Sequence, residues 1–212
     1  MLTIYGRPNS SNVQLVMWTV HELGLANERL DYGYGHASPR TPDFLAMNPM
    51  GLVPVLRDGN MLMFESGAIL RYLGAAYGDE TFWPKDPKLR GPLDTWAEWG
   101  KLTFAPAVGG IFQARVRTAP ERQDPAVIAR AEAALPPLAH ILDERLDGRD
   151  WIGGDDFTFA DIAVGHQLHR YHEMDWDRPD LPNLSAYYAR LRTRPAYRDH
   201  AMVSYAALTG ID

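Results

Sequence analysis

The sequence predicts two units, a small mixed α/β domain followed by an all-α helical bundle. Three observations carry this. Short β-prone runs alternate with runs of helical period as far as Gly78. Composition then shifts to Asp, Pro and Lys between Gly78 and Pro92, and no strand signal of comparable quality follows. The first unit is therefore placed at residues 1–78, a linker at 79–89 and the helical unit at 90–212.

Leu2 to Tyr5 is short, β-prone and ends at Gly6, which makes a first strand. Val13, Val16, Met17, Val20 and Leu23 recur at helical spacing, with Gly24 as a stop. Arg29 to Tyr32 reads as a second strand. Gly33 to Pro42 carries Gly, Ser and Pro and reads as loop, with a short helix near Phe44. Strands around Val53 to Leu56 and Met61 to Phe64 flank Asp58-Gly59, a hairpin turn signal. A helix from Ser66 to Tyr77 closes the unit, with Ile69, Leu70, Leu73 and Tyr77 on one face and Gly78 beyond its end.

In the second unit Trp96, Trp99 and Leu102 begin a long helix that Pro106 should kink. Asp124-Pro125 is an N-cap followed by proline at the first helical position. The helix it opens carries Ile128, Ala131, Leu135, Leu138 and Leu142 on one stripe, and Pro136-Pro137 within the stripe predicts a bend or break. Phe157-Thr-Phe-Ala-Asp-Ile162 is a capping box, with Thr158 as N-cap, Asp161 three residues on, and Phe157 and Ile162 spaced as a hydrophobic staple. Its role is structural, so Thr158→Ala should cost roughly 1 kcal/mol.

Composition excludes several functions. The 212 residues are 46% hydrophobic and 23% charged, an ordinary globular balance. No apolar run approaches the roughly 18 residues of a membrane span. Met-Leu-Thr-Ile-Tyr at the start lacks a secretion signal, so a cytoplasmic protein is expected. A net charge of -6 argues against a nucleic-acid binder, and the basic run Arg190 to Arg198 reads as a solvated helix end. There is no cysteine, hence no disulfide, no thiolate metal site and no Cys nucleophile. Any sulfur chemistry must use sulfur that arrives on a ligand.

Glu65 and Ser66 stand where a strand gives way to a helix, whose first N–H groups lack internal partners and carry partial positive charge. A ligand carboxylate fits there with the Ser66 hydroxyl, and Glu65 would pair with an ammonium, so the two together suit an amino-acid head group. The alternative is that Ser66 only caps the helix. Val53-Pro54 adds to the first reading. Proline is disfavoured inside a sheet, and a cis peptide here would free the Val53 N–H and C=O for an added peptide strand. Ser10, just ahead of the first helix, has no Gly-x-Ser-x-Gly elbow and no evident His base, so it reads as a hydroxyl donor rather than a nucleophile. Ser11 and Asn12 compete for that role or for the cap.

Other patterns carry less. Gly33-Tyr-Gly35 lacks the third glycine of a dinucleotide fingerprint. His166, His169 and His172 recur every third residue but lack a completing ligand set, and read as a partly exposed helix face rather than a metal site. Trp96, Trp99, Phe104 and Phe112 read chiefly as core, with Phe104 and Phe112 also candidates to line a substrate pocket.

Five segments in order now matter together: Arg7-x-x-Ser10-x-Asn12-Val13, Asn48-Pro-x-Gly-x-Val-Pro54, Phe64-Glu-Ser-x-Ala-Ile69, the Thr158-x-x-Asp161 box, and Leu184-x-Ala-Tyr-Tyr-x-Arg-Leu-x-x-Arg-Pro195. With them the chain resembles the cytosolic glutathione transferases over nearly its whole length. The resemblance implies a thioredoxin-like N-terminal domain, an all-helical C-terminal domain, a cis Pro54, a homodimer, and glutathione as co-substrate with no metal. Ser10 falls at the position used by serine-type, theta-like members. Ser11, Arg40, Leu52, Val53, Pro54, Glu65 and Ser66 are the implied glutathione contacts, and a small apolar electrophile is the second substrate. Leu52 departs from the pattern, since many relatives carry Lys or Gln there for the glycine end; Arg40 or His36 is left to meet it. Asn12 matches an Asn used by some bacterial relatives in glutathione-dependent disulfide reduction, which keeps a disulfide or peroxide reductase open beside conjugation. A non-catalytic binding protein of the same fold is the third possibility.

The energetics of thiol activation are modest. A free thiol titrates near about 8.5, and lowering that by about two units needs roughly 2.7 kcal/mol. A hydrogen bond to a charged group contributes about 1.5–3 kcal/mol, and a helix N-terminus roughly 0.3–1 kcal/mol. One serine hydroxyl with the helix dipole suffices.

Overall fold

The computed structural model describes residues 1–211. Four strands, β1 (Leu2–Tyr5), β2 (Asn27–Leu30), β3 (Val55–Asp58) and β4 (Met61–Phe64), form one sheet in the order β2-β1-β3-β4. β1 and β2 are parallel, Leu2 opposite Asn27, as the crossover helix α1 (Ser11–Glu22) requires. β3 is antiparallel to both β1 and β4. β2 starts two residues earlier than expected; it is an edge strand with Glu28 and Leu30 exposed, so its apolar pattern is weak. β3 starts at Val55 because Pro54 cannot join the ladder. The short helix α2 (Pro42–Met47) and α3 (Ser66–Tyr77) complete the unit.

α1 is buried without interruption from Val13 to Val20. It packs against α3 and also against two helices of the second unit, which explains why it is buried on every side, Gln14 and Thr19 included. Trp18 lies 4.7 Å from the Tyr197 ring, and Glu22 accepts from Arg194 Nε at 3.1 Å. The basic run is thus anchored at Arg194, not wholly solvated.

The second unit comprises α4 (Pro87–Trp99), α5 (Ala105–Ile111), α6 (Pro125–Leu146), α7 (Phe159–Gly165), α8 (Leu168–Glu173), α9 (Pro182–Leu191) and α10 (Pro195–His200). α4 opens inside the expected linker, because Asp86 caps it by accepting the Lys88 N–H at 2.9 Å. Between α4 and α5 the chain makes a wide π turn, Gly100–Phe104, in which Ala105 N–H bonds the Gly100 carbonyl. Pro106 cannot donate to the preceding turn, and its ring crowds a carbonyl there; the wide turn is how the helix passes it. A second π turn, Phe112–Arg117, follows α5. α6 runs unbroken through Pro136 and Pro137, so the expected break is absent. Burial of Leu135 before the pair and Ala139, Leu142 and Leu146 after it outweighs two missing N–H donors.

The capping box forms at the start of α7. Asp161 is buried and accepts from Thr158 N–H at 2.8 Å, Ile152 N–H at 2.8 Å and the Tyr187 hydroxyl at 3.0 Å. Burial still pushes its carboxyl up to about 6, against those hydrogen bonds. Of the three histidines expected on a partly exposed face, His169 and His172 are half-buried and only His166 departs. His166 is fully buried at the end of α7, with Nδ1 2.9 Å from the Ala163 carbonyl, and His172 stacks on Tyr188 at 4.0 Å.

Candidate active site

The loop after β1 delivers Ser10 to the N-cap position of α1. Its carbonyl accepts the Gln14 N–H at 2.8 Å, as a cap residue's should, but its side chain caps nothing. The first turn of α1 also holds no acidic residue. A hydroxyl with no partner among the described residues therefore sits at a helix N-terminus without an acidic residue in its first turn, a setting that favours a nearby anion. Ser11, the first residue of α1, is half-buried beside it.

At the start of α3, Glu65 takes the N-cap position with φ 68° and ψ 106°. It is the one non-glycine residue at positive φ among the described residues. Ser66 is 3% exposed and does not cap the helix. Its hydroxyl donates to Asn12 Oδ1 at 3.0 Å and accepts from Lys101 Nζ at 2.9 Å, and Lys101 also donates to Asn12 Oδ1 at 2.7 Å. Asn12 is therefore held at the Ser66 end and not on the Ser10 hydroxyl. Sequence reasoning misses Lys101. It comes from the π turn of the helical unit, and its burial brings its ammonium down to about 8, with Glu65 and Glu98 pulling the other way. No local motif marks it; only its contact across 35 residues does.

The Val53–Pro54 peptide is cis, and Pro54 is buried. Among the described residues neither the Val53 N–H nor its C=O has a hydrogen-bond partner. Asn48 braces the preceding loop, donating to the Leu52 carbonyl at 2.8 Å and accepting the Met50 N–H at 3.0 Å. Leu52 itself is exposed, and Arg40 lies close by on the rim, donating to the Met50 carbonyl at 3.2 Å. His36 is exposed near Asp31. Phe104 and Phe112 do not line an open pocket. Phe104 is fully buried and stacked on Trp99 at 5.6 Å; Phe112, 3% exposed, meets Tyr205 edge-on at 5.2 Å. Both are core because the π turns roll them inward.

The candidate site thus comprises two helix N-termini joined through Asn12 and Ser66, a peptide edge at Val53 unpaired among the described residues, and the Ser10 hydroxyl. This is the site class of the glutathione transferases. A family model described as the glutathione S-transferase N-terminal domain matches residues 1–75, and that of the C-terminal domain matches residues 125–190. The chain is 38% identical over 205 residues to glutathione S-transferase GstB of Escherichia coli strain K12, covering 96% of this chain and 99% of that one. A theta-class glutathione S-transferase of Xanthomonas axonopodis pv. citri, solved with glutathione bound, superposes with a TM-score of 0.91 at 38% identity, covering 98% and 99% of the two chains. The disulfide-bond oxidoreductase YfcG of E. coli K12 is 25% identical over 203 residues, 92% of each chain. The chain belongs to the glutathione S-transferase family. Among the described residues no helix is long and apolar enough to cross a membrane.

Proposed function

We propose that the chain binds glutathione along the Val53 edge and transfers its thiolate to a small electrophile with an apolar body, held against the helical unit. The γ-glutamyl carboxylate meets the α3 N-terminus, the Ser66 hydroxyl and Lys101; its ammonium meets Glu65. The cysteinyl backbone pairs with Val53, the glycine end runs toward Leu52 and Arg40, and the sulfur reaches the Ser10 hydroxyl beside Ser11. The observation that carries this reading is the free Ser10 hydroxyl at the uncompensated N-terminus of α1. With the thiolate formed there, sulfur bonds to the electrophilic carbon as the leaving group departs with the bonding pair. A homodimer is part of the proposal. An open groove of about 920 Å³ lined by residues of α3, α4 and the π turn after α4, among them Ala68, Arg71, Asp94 and Leu102, offers the contact face.

Ser10→Ala tests the reading. Losing one hydrogen bond to a charged sulfur should lower kcat/KM for conjugating 1-chloro-2,4-dinitrobenzene roughly 10- to 150-fold. The pH–rate profile should move upward at the same time. Unchanged turnover with an unchanged profile would remove Ser10 from the mechanism. The reductase alternative keeps its own check: reduction of a model disulfide by glutathione, above background, in the wild-type protein.

A further inference from the structure

Three arginines gather about the Ser10 loop, Arg170 and Arg117 from the helical unit and Arg7 from the loop itself, and among the described residues none of them pairs with a carboxylate. Arg170, on α8, is only 7% exposed, and its Nη2 donates to the carbonyl of Asn9, the residue before Ser10, at 2.8 Å. Its guanidinium lies over the Phe112 ring, 4.1 Å from the centroid. Arg7 comes from the same loop as Asn9. Arg117 comes from the second π turn, with Nε donating to the Ile211 carbonyl at 3.1 Å. Their proximity shows in their acidities. Burial first, then the Arg7 charge, brings Arg170 down to about 10, and Arg117 adds to the effect; burial and Arg117 lower Arg7 as well.

Hydrogen bonding here is incomplete. Arg7 Nε, Arg170 Nε and Asn9 Oδ1 are buried without a partner among the described residues. A buried guanidinium without a counter-charge is costly, and like charges gathered beside it increase the cost. Phe112 and the Asn9 carbonyl hold Arg170 in place but neutralise nothing. A planar fork of donors with an unused N–H matches a planar oxyanion such as a carboxylate. The cluster adjoins Ser10 through the Asn9 carbonyl, and Arg7 also reaches the loop after β2, its Nη1 3.4 Å from where a Cβ on Gly33 would stand.

We propose that this cluster is a subsite for the electrophile, and that it selects electrophiles bearing a carboxylate, gripped by Arg170 and Arg7 while the thiolate at Ser10 attacks the carbon that carries the leaving group. The proposal rests on the transferase reading and deepens it. With 4-chloro-3-nitrobenzoate as probe, the thiol proton passes to solvent and sulfur bonds to the chlorine-bearing carbon. The electron pair delocalises into the nitro-substituted ring, and chloride then leaves with the carbon–chlorine bonding pair.

The experiment compares this probe with 4-chloro-3-nitrobenzamide, each kcat/KM divided by the uncatalysed rate constant with glutathione. Wild-type protein should favour the carboxylate by about tenfold or more, the equivalent of one charge-assisted hydrogen bond. Arg170→Met, which retains the contact with Phe112, should abolish that preference chiefly through KM. Arg7→Gln, at a half-buried position, should weaken it and serves if Arg170→Met does not fold. Equal treatment of the two probes by wild type, or a preference that survives in the variants, overturns the proposal. So does an equal loss on both probes, which would make the arginines structural. Weakened binding of S-methylglutathione in Arg170→Met would assign the cluster to the glycine end instead. If wild-type protein conjugates 1-chloro-2,4-dinitrobenzene but neither probe, this proposal alone is overturned; if it conjugates none of the three, the transferase reading fails as well.

Discussion

Glu65 is where a single residue departs furthest from what its backbone prefers. A left-handed conformation at a non-glycine residue costs on the order of 1–3 kcal/mol and persists where function requires it. Here it leaves the carboxylate exposed at the mouth of α3, beside Ser66. Glu65→Gly separates the two effects. The backbone relaxes, so stability in urea should hold or rise by up to about 1 kcal/mol. Affinity for S-methylglutathione should fall at least tenfold, because a charged partner worth about 1.5–3 kcal/mol is lost. Unchanged affinity would take Glu65 out of the site. The Glu-Ser pair was legible in the sequence because strand end, acid and hydroxyl are consecutive. The positive φ was not, since nothing in a glutamate announces it.

Among the elements, α4 and its π turn are the most constrained. A Cβ on Gly100 would stand 3.0 Å from the Ala163 carbonyl oxygen and 3.1 Å from Val164 Cα, both backbone atoms of α7. Gly91, on α4 itself, faces open space. Replacing Gly91 by Ala should stabilise by up to about 1 kcal/mol through helix propensity. Gly100→Ala should instead destabilise by about 1–3 kcal/mol from overpacking. Thermal unfolding of the two variants with opposite shifts is the expected result; a gain at both would mean the two helices can part. The capping box of α7, the Asp124 and Asp58-Gly59 signals and α3 were readable because each is set by neighbours in sequence. Continuous α6 was not, because the burial that carries it past Pro136-Pro137 belongs to other helices. The same limit hid His166, whose burial comes from the packing around α7 and not from its spacing.

At the scale of the whole molecule, the candidate site draws residues from both units, and the shared part is the part that the sequence concealed. Ser10, Val53 and Glu65 lie in the first unit, while Lys101 and Arg170 reach in from the second. This leads to a pH effect. Lys101 loses its proton near about 8, well below the ordinary lysine range, because it is buried. Its attraction for a ligand carboxylate is therefore present below that pH and lost as pH rises through it. S-methylglutathione, which has no thiol to titrate, should bind wild-type protein progressively less well from about pH 7 to 9. Lys101→Met should bind more weakly at the acid end, and the two curves should converge at the alkaline end. A constant gap between them would mean that the amine does not meet the ligand. Both π turns acquire a meaning from this arrangement, since one contains Lys101 and the other Arg117. A π bulge absorbs one extra residue locally, so side chains within it are displaced by about 100° around the axis while the packed faces on either side keep their register. Inserting or deleting a single codon in either bulge would thus re-aim a cation across the cleft without redesigning the bundle, and divergence of substrate preference in such a chain can proceed by changes of length as readily as by changes of side chain.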